Sequence, residues 1–155
     1  WPPGRATSLM RRGIFEPPAP EAMDPSIFQS TYRGQRAHVE VQNAMNLSGA
    51  GWLDKPDPYA ILRFRGSGSE FRTSVLQDAG SDPVWNCEGT LAYGGENALE
   101  ISVWDYDRGS ADDLLATGVL HVDQFCQGYE GVVKLQKAGG ATRNKKGKDP
   151  IIVLS

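Results

Sequence analysis

Aspartates are concentrated in two turn-rich segments of this 155-residue chain. They are Asp54 and Asp57 in the first segment, and Asp105, Asp107, Asp112 and Asp113 in the second. Carboxylates crowded in this way repel one another, and calcium, which takes roughly six to eight oxygen ligands, would relieve that repulsion. The alternative is that they are solvated aspartates of ordinary turns, where this residue type is common. If the two segments meet at one end of a domain, the pattern predicts a calcium site.

Three arginines form a second group that could do chemistry. Arg63 and Arg65 alternate along one predicted strand, so they project from the same face, and Arg72 on the next strand can join them. A second basic run spans residues 143–148. Both groups could attract anions, and the alternative is that they form a solvated strand face and a solubilising loop.

Short strands must position these residues, because apolar and polar side chains alternate with a period of two from Gln35 onward. About eight such segments follow one another, separated by glycine-rich turns, and the chain has eighteen glycines and ten prolines. The pattern predicts an all-β, eight-stranded antiparallel β-sandwich with one helical turn near residues 122–127. The eight segments are 37–41, 59–65, 71–75, 84–93, 99–104, 115–122, 132–135 and 151–154.

The first 33 residues differ from the rest, since they hold six of the ten prolines. Proline removes a backbone donor and disfavours helix at the preceding residue. We therefore predict a proline-rich extended arm over residues 1–33 and a sandwich domain over residues 34–155. The arm also carries large apolar residues, so we expect it to lie against its own domain or a protein partner.

Composition excludes several classes of function. A net charge of −3 disfavours a general nucleic-acid binder, and no apolar run reaches the roughly 20 residues of a membrane-spanning helix. The two cysteines, Cys87 and Cys126, match no zinc motif or disulfide framework, which favours a reducing compartment. No nucleophile or acid–base motif is present, so we predict that the chain is not an enzyme.

Six motifs in sequence resemble the C2 domain family over about residues 36–155. They are Val39–Ala44 with Leu47, Asp57-Pro-Tyr-Ala-Ile61, Thr73, Asp82-Pro-Val-Trp-Asn86, Leu99-Glu-Ile-Ser-Val-Trp-Asp-Tyr-Asp107, and Asp112–Leu115 with Gly118. The resemblance implies a β-sandwich that binds calcium and phospholipid. Two strand-like segments follow Gly118 and none is clear before Val39, which favours the family's phospholipase-type (type II) strand order.

The resemblance also implies a ligand set for calcium. Four aspartates match family ligand positions, namely Asp57, Asp105, Asp107 and Asp113. The family's first ligand lies six residues before Asp57, where this chain has Gly51, so Asp54 is the candidate replacement. We therefore expect a partly degenerate site that holds one calcium ion weakly.

In the family, apolar residues at the tips of the ion-binding loops insert into the membrane. Trp52 and Leu53 hold that position here, although Trp52 could instead pack on the rim of its own sandwich. Arg63, Arg65 and Arg72 correspond to the basic face that contacts lipid headgroups. Two functions result: a calcium-regulated module that binds anionic phospholipid at an intracellular membrane surface, or a calcium-independent scaffolding module held in a larger protein assembly.

Overall fold

The computed structural model describes residues 23–48, 55–139 and 147–155. Within these ranges the chain forms nine strands and two short helices. The helices are α1 (Pro25–Tyr32) and α2 (Val122–Phe125). The strands are β1 (Arg36–Met45), β2 (Pro58–Phe64), β3 (Glu70–Arg72), β4 (Val84–Ala92), β5 (Ala98–Asp105), β6 (Asp113–His121), β7 (Gly131–Lys134), β8 (Gln136–Lys137) and β9 (Ile151–Leu154).

The strands form two antiparallel sheets, in the orders β4-β1-β9-β7 and β3-β2-β5-β6-β8. Successive side chains of a strand point to opposite faces of the sheet, so every second residue faces the core. Val39 and Val41 of β1 are buried in this way, as are Ile101 and Val103 of β5. Their common core lies between the sheets. The predicted all-β sandwich is confirmed.

One strand exceeds the predicted eight. The additional strand, β8, pairs with β6 at the edge of the five-stranded sheet. It has only two residues, which is too short for an alternating pattern that would predict a strand from the sequence. The predicted strand over 71–75 also ends early, at Arg72. The side chain of Thr73 explains that end, because its Oγ1 accepts a hydrogen bond from the Ala60 N–H at 2.8 Å.

A second helix corrects the expectation of a single helical turn and of an arm extended throughout. Helix α1 spans Pro25–Tyr32, within the proline-rich stretch. It forms there because Asp24 Oδ1 caps the Ser26 N–H at 2.8 Å, and because Pro25 stands in the first helical turn, where a missing donor costs nothing. Phe28 and Tyr32 pack against the core, so this part of the arm folds back. Residues 1–22 lie outside the described residues, and the division at residue 33 stays a prediction.

The other predicted helical turn is confirmed as α2, directly after β6. No helix among the described residues is both long and apolar enough to cross a bilayer.

Candidate functional site

Strand register brings the two acidic segments to one end of the sandwich. Asp57 directly precedes β2, Asp105 ends β5, and Asp113 begins β6. Pro58 lies opposite Asp105, and Asp105 lies opposite Asp113. The turn that follows β5 carries Asp107 at the same end. The structure therefore brings Asp57, Asp105, Asp107 and Asp113 to the same end of the sandwich.

Backbone N–H groups already engage two of these carboxylates. Asp105 Oδ1 accepts a hydrogen bond from the Asp57 N–H at 2.7 Å. Asp57 Oδ1 accepts one from the N–H of Asp78 at 2.7 Å, and Asp78 lies in the loop between β3 and β4. A third loop thus joins the site, and sequence reasoning missed it because the group that Asp78 contributes is a backbone N–H.

Loss of hydration, followed by repulsion between carboxylates, raises the pKa of two aspartates in this group. Partial burial raises the pKa of the Asp105 carboxyl, the Asp57 N–H lowers it, and neighbouring carboxylates raise it again. Loss of hydration raises the pKa of Asp107, and the charges of Asp113 and Asp112 raise it further. A cation bound among these residues would favour their charged forms.

The donor set suits a hard cation, since it consists of carboxylate oxygens at a loop-rich end. Its present geometry does not form a coordination shell. Throughout the described ranges, no three histidine, cysteine, aspartate or glutamate side chains are grouped so that they could hold a metal ion. Asp54, the candidate replacement ligand, and the neighbouring Gly51, Trp52 and Leu53 lie outside the described residues, so the metal and membrane roles assigned to this loop stay predictions.

The loop between β5 and β6 is fixed by a residue of β2. The hydroxyl of Tyr59 donates a hydrogen bond to Asp112 Oδ2, and Asp112 Oδ1 accepts the Asp107 N–H at 3.1 Å. The Tyr59 hydroxyl lowers the pKa of Asp112, and the backbone N–H of Asp107 lowers it further. Burial, followed by the contact with Asp112, raises the pKa of Tyr59 to about 12, so the phenol stays protonated at physiological pH. Asp112 therefore orders the loop that carries Asp107.

The three arginines lie on the outer face of the five-stranded sheet, interleaved with acids. Arg63 of β2 lies opposite Glu70 on β3 and opposite Glu100 on β5. The Arg65 Nε is 3.4 Å from the Glu100 carboxylate, and an Arg72 nitrogen is 3.2 Å from that of Glu70. Register thus brings the predicted basic group together but adds two glutamates, which reduce its positive charge.

Arg72 also connects this face to the acidic loops. Its guanidinium carbon lies 5.4 Å from the centroid of the Tyr59 ring, a cation–π contact. The same ring carries the hydroxyl bonded to Asp112. Only two residues, Tyr59 and Asp112, therefore separate Arg72 from the N–H of Asp107.

Comparison with known proteins identifies relatives over most of the sandwich. A family model described as "C2 domain" matches residues 35–137. Human cytosolic phospholipase A2 delta is 38% identical over 93 residues, which cover 58% of this chain and 11% of the phospholipase. Rice elicitor-responsive protein 1 (Oryza sativa subsp. japonica) is 30% identical over 92 residues, covering 54% of this chain and 57% of that protein. The chain thus spans about a tenth of the first relative and just over half of the second.

Solved structures share the fold. A C2 domain of plant extended synaptotagmin 1 superposes with a TM-score of 0.61 at 18% identity, covering 79% of this chain and 92% of that domain. Human GIVD cytosolic phospholipase A2 superposes with a TM-score of 0.55 at 25% identity, covering 77% of this chain and 15% of that one. These similarities concern the sandwich and carry no catalytic activity to this chain.

Proposed function

The chain belongs to the C2 domain family, and from that premise we propose that it is a peripheral module that binds anionic phospholipid membranes under the control of calcium. The observation that carries this proposal is the convergence of Asp57, Asp105 and Asp113 at one end of the sandwich, through the β2–β5 and β5–β6 registers. Turn chemistry alone gives no reason for acids from separate strands to meet. The output is reversible binding, with no chemical turnover.

Calcium would act by changing the electrostatics of this end. The four carboxylates of Asp57, Asp105, Asp107 and Asp113 make the ion-free loops repel an anionic leaflet. A bound divalent cation offsets part of that charge and offers open coordination positions to lipid phosphate oxygens. Because Gly51 stands where the family has an aspartate, we propose one weakly held ion, with Asp54 as a supplementary ligand.

Two further groups of residues would help this end of the sandwich to bind a membrane. Trp52 and Leu53 directly precede Asp54 in the sequence, and insertion of such residues at the interface contributes about 1.5–3 kcal/mol each when burial is complete. Arg63, Arg65 and Arg72 would face lipid headgroups from the adjacent sheet. Each basic residue near an anionic leaflet contributes about 1 kcal/mol at modest salt, although Glu70 and Glu100 compete for these cations.

A calcium-independent scaffolding module is the second candidate. It is favoured because one carboxylate oxygen each of Asp57 and Asp105 already accepts a backbone hydrogen bond. It is also favoured because Glu100 and Glu70 form ion pairs with Arg65 and Arg72. On that reading the acidic loops are a vestigial site, and the sandwich faces bind a protein partner.

Vesicle sedimentation distinguishes the two candidates. The full chain would be mixed with vesicles of phosphatidylserine and phosphatidylcholine, or of phosphatidylcholine alone, in calcium, magnesium or chelator. We expect cosedimentation only with phosphatidylserine and calcium together, and loss of it in Asp107→Asn. Equal binding in calcium and chelator, or no binding at millimolar calcium, would support the scaffold.

A further inference from the structure

A cavity of about 280 Å³ lies at the end of the sandwich opposite the acidic loops. It is partly open and extends between the sheets to Leu62, Leu99 and Leu120, which are all buried. Six aromatic side chains contribute to its wall. They are Phe28, Tyr32, Phe64, Tyr93, Phe125 and Tyr129.

Helix α1 is one wall of this cavity. The Phe28 ring lies 5.6 Å from the Tyr93 ring and 5.9 Å from the Phe125 ring, centroid to centroid. Gln29 Nε2 fixes the helix to the sandwich by donating to the Gly95 carbonyl at 3.0 Å. The residues immediately before β1 therefore already contribute side chains that close this end of the core.

Because the cavity is partly open, water reaches its mostly apolar wall, and apolar side chains seated in it would remove that surface from water. An apolar cavity of about 150 Å³ accommodates one benzene ring. A volume of about 280 Å³ therefore has room for one phenyl ring and one further aliphatic side chain.

We propose that Ile14 and Phe15, from the segment preceding α1, occupy this cavity. The described chain begins at Met23, whose carbonyl oxygen accepts a hydrogen bond from Cys126 Sγ at 3.4 Å, directly beside the wall residue Phe125. Phe15 lies eight positions before Met23, and eight extended steps span up to about 27 Å, which is ample reach.

Two features favour Ile14 and Phe15 over a free ligand or another part of residues 1–22: their covalent link to α1 and the aromatic ring of Phe15. A segment joined by a short linker reaches an effective concentration in the millimolar range, which a free apolar ligand would have to exceed. Residues 1–22 contain a second adjacent pair of large apolar side chains, Leu9 and Met10, but that pair lacks a ring. Phe15 supplies one, and aromatic walls favour a ring in edge-to-face contact.

The test uses the full chain and compares Ile14→Ser/Phe15→Ser with the matched control Leu9→Ser/Met10→Ser. We expect the first double variant to melt about 5 °C or more below the native chain and to bind anilinonaphthalene sulfonate in the vacated cavity, while the control does neither. Native-like melting and unchanged dye binding in Ile14→Ser/Phe15→Ser would overturn the proposal. Dye binding by the unaltered chain, displaced by a free alkyl compound, would also overturn it and identify a ligand pocket.

A second measurement covers failure of that variant to fold. A photoreactive phenylalanine analogue at position 15 retains the ring and should cross-link within the same chain to Phe125 or Tyr129, whereas the analogue at position 10 should not. Cross-links only between chains, or none to these residues, would contradict the proposal. Both measurements are independent of calcium and lipid, so their outcome leaves the proposed function unaffected.

Discussion

The hydroxyl of Tyr59 donates a hydrogen bond to Asp112, which joins the second strand to the loop between β5 and β6. Asp112 in turn accepts the N–H of Asp107, a candidate calcium ligand. The same tyrosine ring lies beneath the guanidinium of Arg72 on the outer sheet face. Tyr59 therefore connects the acidic loops with the basic face through direct contacts.

Removal of the Tyr59 hydroxyl should loosen this loop without altering any proposed calcium ligand. In Tyr59→Phe we expect the calcium dissociation constant to rise about 3- to 10-fold, because one hydrogen bond that orders the loop is lost while the ring and its contact with Arg72 remain. Calorimetric titration measures the change. Tyr93→Phe is the matched control, since its hydroxyl bonds the Glu96 carbonyl at the opposite end of the sandwich. Equal calcium affinities in Tyr59→Phe and the native chain would show that Asp112 orders the loop without the Tyr59 hydroxyl.

Relief of charge repulsion should stabilise the ion-free protein at neutral pH. The pKa of Asp107 is raised in the folded state, so the folded protein holds this proton more tightly than the unfolded chain. The resulting stabilisation is full below the unfolded pKa and is lost as pH rises through the folded pKa. Asp107→Asn keeps the shape without the charge, so in chelator it should melt above the native protein at pH 7.

The same substitution provides the pH control. The advantage of Asp107→Asn should shrink as pH falls through the pKa of Asp107, where the native carboxyl is itself neutral. In calcium at pH 7 the native protein should melt above Asp107→Asn, because the variant lacks one charged calcium ligand. A variant that melts below the native protein in chelator at pH 7 would identify Asp107 as a structural acceptor.

Restoring the missing family ligand should tighten calcium binding. We expect the native chain to bind calcium with a dissociation constant of about 10⁻⁴ M or weaker, since the number and charge of ligands set affinity. Gly51→Asp should tighten it about tenfold. Gly49→Asp adds the same charge two residues earlier in the sequence, outside the ligand position, and it should have a smaller effect. Submicromolar binding by the native chain without lipid would mean that Asp54 or a carbonyl already completes the site.

The glutamates on the outer sheet face should weaken attraction to anionic lipid. Glu100→Gln frees Arg65 from its carboxylate partner, so it should raise the affinity for phosphatidylserine vesicles, and Arg63→Gln should lower it by about fivefold. Both effects should diminish at high salt because the charges are exposed. Lys134→Gln removes the same charge from the opposite sheet and is the control for Arg63→Gln. An equal loss of vesicle affinity in Lys134→Gln would mean that only the net charge of the protein matters.

The sequence predicted the sandwich because inward side chains repeat with a period of two, as Val39 and Val41 do. It did not predict α1, since proline density suggested an extended chain while one capping aspartate, Asp24, was enough to start a helix. The role of Glu100 was also missed, because its position opposite Arg63 follows from strand register, which spacing along the chain does not reveal.

The acidic site was predicted in part. Spacing placed Asp57, Asp105 and Asp113 in one family pattern, and strand register brings these residues to one end of the sandwich. The hydrogen bonds that occupy Asp57 Oδ1 and Asp105 Oδ1 could not be predicted, since their donors are backbone N–H groups whose direction depends on turn geometry. The metal itself stays a prediction.

Tryptophan emission from position 52 tests calcium-dependent docking of the acidic loops most directly. The signal of Trp52 is the difference between the native chain and Trp52→Phe, which leaves Trp85 and Trp104 in place with their hydrogen bonds. We predict a blue shift of this difference spectrum only when calcium and phosphatidylserine vesicles are present together, because the indole then leaves water for the bilayer interface. An unchanged difference spectrum at saturating calcium and lipid, with the protein folded, would contradict the account.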